Sequence, residues 1–308
     1  MANDLVSIIM PTYKRHSLLV ERAVLSVLSQ TYENIELVLV DDNAGEKLIS
    51  FRQEVEDLVK KLNSDKVVYL QNAENLGGAG ARNEGIKIAK GEYITFLDDD
   101  DMYLPEKVEK QLNYMLENGL EMSFSKLKIF NEEDKLIDVR KHDIQCFENH
   151  YLLKYHLTKQ ITGTPTFMMK KYVLEQIGGF EIVPMGQEYY LMQKIILGNY
   201  KIGYFPECYI KAYRTKAEAI STGKNKISGE KALFRYKKQF FKELTFSEKQ
   251  YVRCRHYAVM AVAYKRNKKY FRAIFNLFVA VLSSPVLAIK EAFALKKRIN
   301  EVNNNESL

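Results

Sequence analysis

The chain has 308 residues, of which 46% are apolar and 12% aromatic, which allows one sizeable core and a smaller appendage but not three domains. Its three cysteines form no C-x-x-C pair and its five histidines lack the i, i+4 spacing of a zinc helix, which argues against a disulfide framework and a histidine-rich metal centre. The net charge of +7 is uneven, because residues 1–223 carry 27 Lys and Arg against 33 Asp and Glu, whereas residues 224–308 carry 19 against 6. We therefore expect any anionic partner, whether lipid, nucleic acid or acidic polymer, to meet the C-terminal quarter. The motifs described below indicate no nucleic acid partner.

Residues 1–101 alternate short β-branched runs with amphipathic helical stretches. The opening MANDLVSIIM has no basic residue and predicts a strand rather than a secretory signal, so we expect a cytoplasmic protein. The predicted strands are VSIIM, IELVLV, VVYLQ and YITFL, and the predicted helices are 18–30, about 54–62, and 79–89. This order predicts an open, doubly wound parallel sheet whose ligands bind beyond the carboxyl ends of the strands.

The second half of the chain is predicted to be more mixed. A helix is expected from Pro105 to about Leu116, and EMSFSKLKIF and KLIDV are expected to form antiparallel strands. The next predicted elements are a strand, two helices and a strand, at 166–169, 172–177, 188–197 and 201–205. Everything from Ser228 onward is predicted to be helical.

Polar side chains follow three of the four N-terminal strands, at residues 11–14, 41–43 and 98–101. The last of these is a run of four aspartates. Adjacent carboxylates repel one another and resist burial, so the fold must compensate them, most simply with a divalent cation such as Mg²⁺ or Mn²⁺. The alternative for the end of the run is that Asp101 caps the next helix.

A glycine-rich segment, GGAGARN at residues 77–83, follows the third strand and opens a helix. It departs from the dinucleotide-binding fingerprint, because Asn83 stands at the third glycine position and the segment does not follow the first strand. A purely structural turn is one interpretation. Arg82 supports another, in which a guanidinium beside the acidic run binds diphosphate oxygens.

Several segments, in this order and spacing, resemble family 2 of the glycosyltransferases over about residues 5–210: VSIIMPTYKR, SVLSQTY before IELVLVDDN, NLGGAGARNEGIKIAKGEYITFLDDDD, and GGFE followed by GQEYYL. The resemblance implies a GT-A fold, which is a Rossmann-like α/β fold with a mostly parallel sheet and helices on both faces, followed here by a C-terminal helical appendage. It implies a catalytic domain at 1–222, with a nucleotide-binding half at 1–101 and an acceptor-binding half at 102–222. Residues 223–308 would form the basic helical region.

The family's reaction is an inverting transfer of a sugar from a nucleotide-sugar, with a UDP-sugar as the default donor. The acceptor implied is a hydroxyl of a glycan or of a lipid-linked molecule in bacterial cell-surface polysaccharide synthesis. In the family, positions matching Tyr13 and Asp42 pack against and hydrogen-bond the uracil, and Pro11 and Thr12 belong to the same base-facing turn. For Tyr13 the alternative is a core position.

The family's D-x-D motif falls on the start of the aspartate run. The resemblance implies that Asp98 or Asp99 faces the ribose. It implies that Asp100, with Asp98, binds a Mn²⁺ or Mg²⁺ ion that bridges the diphosphate, with Arg82 assisting there.

Inverting transfer needs one base on the acceptor side. In the family this base is the second residue of an acidic pair at a helix start, and the matching residues here are Gln187 and Glu188. Glu188 is therefore the predicted base, and the alternative is an exposed acid that only complements the helix dipole. Gln187 and Thr164 are predicted to lie on the acceptor side. The loop 215–229 is a candidate lid. The family often has a histidine near it that contacts metal or phosphate; here either that contact is absent or a lysine replaces it: Lys216, Lys224 or Lys226.

The basic tail mixes Lys and Arg with large apolar residues, and residues 273–289 are uncharged. This stretch is marginal for spanning a bilayer. Either it lies on the inner face of the cytoplasmic membrane, or it packs on the catalytic body or a second subunit. For the whole chain, the alternatives to a glycosyltransferase are a nucleotidyltransferase of related fold and a non-catalytic binding protein. Gln187 favours the second alternative, because it stands where the family has the first acid of the pair.

Overall fold

A computed structural model describes residues 4–214, 224–286 and 289. The strands within these residues are β1 (Val6–Thr12), β2 (Ile35–Asp41), β3 (Val67–Gln71), β4 (Tyr93–Phe96), β5 (Met102–Tyr103), β6 (Met122–Ser125), β7 (Leu127–Phe130), β8 (Leu136–Arg140), β9 (Met168–Lys170), β10 (Ile202–Phe205) and β11 (Ile210–Tyr213). The helices are α1 (Ser17–Leu28), α2 (Ile49–Leu62), α3 (Gly77–Ile88), α4 (Lys107–Glu117), α5 (Asn149–Lys159), α6 (Lys171–Ile177), α7 (Gln187–Leu197), α8 (Lys224–Lys238), α9 (Phe246–Arg266) and α10 (Tyr270–Ser283).

The main sheet has seven strands in the order β10-β6-β9-β4-β1-β2-β3. All neighbours are parallel except β9, which runs antiparallel to both β4 and β6. The four N-terminal strands form the predicted parallel half. Because β1 lies between β4 and β2, the carboxyl ends of these three strands are adjacent, and they carry the polar segments singled out in the sequence.

Helices cover both faces of this sheet, as predicted. On β1, Ile8 and Met10 belong to a hydrophobic cluster that includes residues of α1, α2 and α4, whereas Ile9 belongs to a second cluster with residues of α3, α5, α6 and α7. Gly85 allows the close approach of α3, since a Cβ there would lie 2.6 Å from the Ile9 side chain. The near-continuous apolar strands therefore reflect burial on two sides.

A second, four-stranded sheet has the order β5-β11-β7-β8. The segment EMSFSKLKIF is divided between the two sheets, because β6 pairs in parallel with β10 whereas β7 pairs antiparallel with β8. The expected antiparallel pairing with KLIDV is therefore made by β7, whereas the antiparallel neighbour of β6 is β9. The sequence did not predict β5, α5 or β11, and α4 begins two residues after Pro105.

The C-terminal helices α8 and α9 share the hydrophobic core of the sheet domain. Phe234, Leu244 and Val252 belong to the same hydrophobic cluster as α3, α5 and α7. Beyond them, α10 packs along α9. Among the described residues, no helix combines the length and the apolar character that crossing a membrane requires. Most of the predicted lid loop, residues 215–223, lies outside the described residues.

Candidate functional site

The aspartate run follows β4 at the edge of the sheet where β1 and β2 also end. The strand register pairs Ile9 with Phe96 and Thr12 with Asp41, so the three polar segments project from neighbouring strands. Pro11 and Thr12 are the last residues of β1, and Thr12 is buried. Tyr13 follows them with 42% of its surface exposed, so the alternative that it is a core residue is wrong.

Two of the aspartates are bridged by an arginine that the sequence did not single out. Arg15 donates from Nε to Asp99 at 2.9 Å, and its Nη2 lies 3.0 Å from a carboxylate oxygen of Asp100. The turn that carries Arg15 is held by Lys14, whose φ is 51° and whose N–H donates to Asn43 Oδ1 at 2.7 Å. The requirement for countercharge on four adjacent carboxylates could have pointed to this arginine, but nothing local pairs residues 84 positions apart.

Burial and mutual repulsion change the acidity of the run. Burial, followed by the neighbouring Asp100, raises the pKa of Asp99 to about 7, although the Arg15 guanidinium acts in the opposite direction. Burial also raises the pKa of Asp101, with the charges of Asp98 and Asp100 adding to it. The number of ionised carboxylates in the run therefore depends on the cations beside it.

The prediction that Asp101 caps a helix is wrong. Its carboxylate accepts a hydrogen bond from the backbone N–H of Tyr213 at 2.9 Å, which ties the aspartate turn to β11. The next helix begins only at Lys107 and has no side-chain cap. The physical reason is that β5 intervenes and directs Asp101 toward the second sheet.

Arg82 lies beside the run from the α3 side, as the sequence predicted. It is 6% exposed, and its guanidinium pairs with the Asp98 carboxylate and donates to the carbonyl of Gly78 at 3.1 Å. The guanidinium also lies over the ring of Phe180, 5.7 Å from its centroid. The backbone of Phe180 is held by Asn83, which accepts from its N–H at 2.8 Å and donates to its carbonyl at 2.9 Å.

Asp42 is 2% exposed and accepts four hydrogen bonds from the loop that precedes α3. The donors are the side chains of Asn72 and Asn75, at 2.8 and 3.0 Å, and the backbone N–H groups of Leu76 and Gly77, at 2.9 and 2.8 Å. These donors occupy the roughly four lone-pair positions of a carboxylate. Asp42 therefore orders the start of α3, and its contact with a base stays a prediction.

The start of α7 brings the acceptor-side residues to the same place. A Cβ built on Gly78 would lie 3.1 Å from Nη1 of Arg82 and 3.4 Å from Nε2 of Gln187, so the first turns of α3 and α7 meet there. The Oε1 atom of Gln187 is buried and has no hydrogen-bond partner among the described residues. Glu188, next in the chain, is half-buried in the first turn of α7.

Thr164 begins a short 3-10 turn, Thr164–Thr166, that packs against β4. It is 7% exposed, and Gly163 before it has a φ of 125°. The following carbonyl, of Pro165, accepts from the Tyr103 hydroxyl at 3.3 Å. Thr164 is thus close in the fold to the strand that carries the aspartates, while its role toward an acceptor stays a prediction.

The fold is a doubly wound α/β sheet with an acidic, arginine-bridged cluster at its strand ends, which is where open α/β sheets bind their ligands. The family model for glycosyl transferase family 2 matches residues 7–178. The chain belongs to this family, and it is a glycosyltransferase.

Relatives in sequence are glycosyltransferases as well. The chain is 29% identical over 235 residues to the putative teichuronic acid biosynthesis glycosyltransferase TuaG of Bacillus subtilis, covering 76% of this chain and 87% of that protein. It is 36% identical over 131 residues to WfgD of Escherichia coli, named as a UDP-Glc:alpha-D-GlcNAc-diphosphoundecaprenol beta-1,3-glucosyltransferase, covering 42% and 49%. An uncharacterized glycosyltransferase of Methanocaldococcus jannaschii is 28% identical, with 68% and 71% covered. The chain thus spans only about half the length of some relatives.

Among solved structures, the fold is similar to that of TarS residues 1–349 from S. aureus, crystallised in complex with UDP-GlcNAc. The TM-score is 0.56 at 17% identity, and the match covers 88% of this chain and 89% of that one. At this identity the likeness supports the GT-A fold. The predicted fold class is confirmed.

Proposed function

We propose that the chain is an inverting glycosyltransferase that transfers a sugar from a UDP-sugar to a hydroxyl of a glycan or lipid-linked acceptor in surface polysaccharide synthesis. One observation carries the proposal: Arg82 binds Asp98 on the donor side and lies beside Gln187, the neighbour of Glu188, at the start of α7. The acidic cluster and Glu188, the candidate base, therefore lie on either side of Gly78. The UDP-GlcNAc bound by TarS supports the donor class, and the diphosphoundecaprenol in the name of WfgD supports a lipid-linked acceptor.

On the donor side, the exposed ring of Tyr13 offers a face on which a uracil can stack. Pro11 and Thr12 shape the strand end beneath it. Asp42 is the residue predicted to contact the base, but its acceptor positions are occupied by the loop before α3. We propose that it shapes the base site by holding that loop in place. In this proposal Asp98 or Asp99 faces the ribose, and residues 1–101 form the nucleotide-binding half.

Enzymes of this fold generally use a divalent cation. Here Mg²⁺ or Mn²⁺ would be held by Asp100 and Asp98, with diphosphate oxygens and water at the remaining positions. The residues fit this role, because both carboxylates are partly exposed, at 25% and 37%, and are neutralised by the guanidinium groups of Arg15 and Arg82, whose charge a cation can replace. When bound, the cation would act as a Lewis acid that stabilises the departing diphosphate.

The transfer itself requires one proton acceptor and one stabilised leaving group. The Glu188 carboxylate takes the proton of the acceptor hydroxyl while that oxygen attacks the anomeric carbon. The bond from the anomeric carbon to the diphosphate oxygen breaks, and its electron pair leaves with UDP. Arg82 then faces the added negative charge. Attack opposite the leaving group inverts the anomeric configuration, and Gln187 and Thr164 would line the acceptor pocket in the half formed by residues 102–222.

The test is UDP release from a panel of UDP-sugars with Mn²⁺, comparing Asp100→Ala and Glu188→Gln with the wild type. We expect Asp100→Ala to lose the UDP release that Mn²⁺ stimulates in the wild type. We expect Glu188→Gln to lower kcat by about 100-fold or more with the UDP affinity unchanged. Glu109→Gln is the matched control, because Glu109 is also an acid in a helix's first turn. If Glu188→Gln behaves like Glu109→Gln, Glu188 only complements the helix dipole and is not the base.

The proposed place of the reaction is the inner face of the cytoplasmic membrane, where a lipid-linked acceptor would be reached through the basic region 223–308. The charge of this region supports the proposal, since residues 249–286 contain eight Lys and Arg and no Asp or Glu. Anionic lipid headgroups attract such a segment.

A further inference from the structure

The outer face of α10 consists of large apolar side chains that point into solvent. Each is between 42% and 85% exposed: Tyr270, Phe271, Ile274, Phe275, Leu277, Phe278, Val281 and Leu282. The face turned toward α9 carries the small side chains of Ala273 and Ala280, which are the buried residues of the helix. A surface helix of a globular protein normally buries its large apolar residues and exposes polar ones. On α10 this distribution is reversed.

The size of this face exceeds what chance exposure explains. Phe271, Phe275 and Phe278 are 85%, 59% and 60% exposed. At about 200 Å² for a phenylalanine, these three alone expose on the order of 400 Å². That area is comparable with the largest apolar patch of a typical monomer, and five further residues extend it. Such a face requires an occupant.

The charges beside the face identify the chemistry of that occupant. Basic residues cluster where α9 turns into α10: Lys265, Arg266, Lys268, Lys269 and Arg272. An apolar helix face flanked by lysine and arginine matches an anionic lipid surface, with the rings among the acyl chains and the cations among the headgroups. A second copy of this chain would bring an equal positive charge against the first, so it fits less well.

We propose that α10 lies in the headgroup region of an anionic membrane, parallel to its surface, with the three phenylalanines inserted. The helix has 14 residues and is therefore about 21 Å long, which is shorter than the roughly 30 Å hydrocarbon core of a bilayer and suits a surface position. This inference deepens the proposed function by naming the element that contacts the membrane. Lipid binding needs neither donor nor acceptor, so it can fail or succeed independently of the sugar transfer.

The first experiment is flotation of the full chain with vesicles of phosphatidylcholine, alone or mixed with phosphatidylglycerol. We expect binding to the anionic vesicles, and binding weaker by about tenfold or more to the neutral ones, since each nearby basic residue contributes about fivefold. Replacing Phe271, Phe275 and Phe278 together by serine should reduce binding by about 100-fold or more. Ile49→Ser is the matched control, because Ile49 is 61% exposed on α2, and it should bind like the wild type.

The second experiment covers the case in which the triple variant fails to fold. The chain contains no tryptophan, so Phe275→Trp introduces a single reporter, with Ile49→Trp as its control. We expect the emission of the first to shift to shorter wavelength with anionic vesicles and to be quenched by brominated lipid, and the second to remain unchanged.

Four results would overturn the proposal. The first is absence of binding to anionic vesicles, and the second is wild-type binding by a folded triple variant. The third is an emission at Phe275→Trp that is already blue-shifted without lipid, which would mean that another part of this chain covers the face. The fourth is a stable oligomer that the triple substitution converts to a monomer, which would identify a second copy as the occupant.

Discussion

Replacing Arg15 by glutamine should tighten the binding of Mn²⁺ in the absence of nucleotide. Arg15 bridges Asp99 and Asp100, with contacts of 2.9 and 3.0 Å. A cation that binds Asp100 must compete with this guanidinium for the same carboxylate. The variant removes the competitor and leaves the carboxylates in place.

The expected size of the effect follows from the exposure of the pair. Two unit charges about 4 Å apart interact by about 4 kcal/mol at an effective dielectric constant near 20. The side chains of Arg15 and Asp100 are 17% and 25% exposed, so solvent reduces this value. We expect a gain of about 1–2 kcal/mol in Mn²⁺ binding, which is a dissociation constant about 5- to 30-fold lower.

The assay is a titration of Mn²⁺ without nucleotide, followed by electron paramagnetic resonance of the free ion. Arg22→Gln is the control, because Arg22 donates to the backbone carbonyl of Asp100 and lies over the Tyr213 ring, so its loss removes the same charge without freeing a carboxylate. A dissociation constant for Arg15→Gln that is unchanged or higher than that of the wild type would refute the competition.

Two further predictions concern stability. Asp42→Asn should lower the free energy of unfolding in urea by about 3 kcal/mol, because two of four donors to the carboxylate lose their acceptor; a variant as stable as the wild type would mean that Asp42 does not hold the loop. His156 is fully buried, accepts from the Ile161 N–H at 3.0 Å, and contacts the Tyr189 carbonyl, and burial lowers its pKa to about 3. Since the unfolded chain takes up this proton below about pH 6.5, the contribution of His156 to stability falls by about 2 kcal/mol between pH 6.5 and pH 5. The free energy of unfolding, measured in urea at several pH values, should depend less steeply on pH for His156→Asn than for the wild type; equal dependence in the two proteins would contradict the assignment.

Much of the nucleotide-binding half could be predicted from sequence because its signals are local. Each of the first four strands is a β-branched run of four to seven residues, buried on both faces in β1, β2 and β4. A parallel sheet places the carboxyl ends of such strands at one edge. The sequence therefore predicted that Tyr13, Asp42 and the aspartate run lie at one edge of the sheet.

The missed elements depend on partners distant in the chain. The two-residue strand β5 exists because β11, more than 100 residues later, pairs with it. Asp101 does not cap the predicted helix because its carboxylate accepts a hydrogen bond from the Tyr213 N–H, 112 residues away. No periodicity or turn signal encodes such pairings.

The sequence by itself determined that four adjacent carboxylates at a strand end need compensating charge. The sequence also placed Arg82 of α3 beside the run, but only the tertiary structure decided that Arg15, from the turn after β1, supplies charge as well. The same holds for the basic tail, whose composition indicated an anionic partner, while the packing of Ala273 and Ala280 on α9 decided which face of α10 is left outward. The physical reason is common to both: charge and hydrophobicity are properties of residues, whereas their neutralisation and burial are properties of contacts between distant parts of the chain.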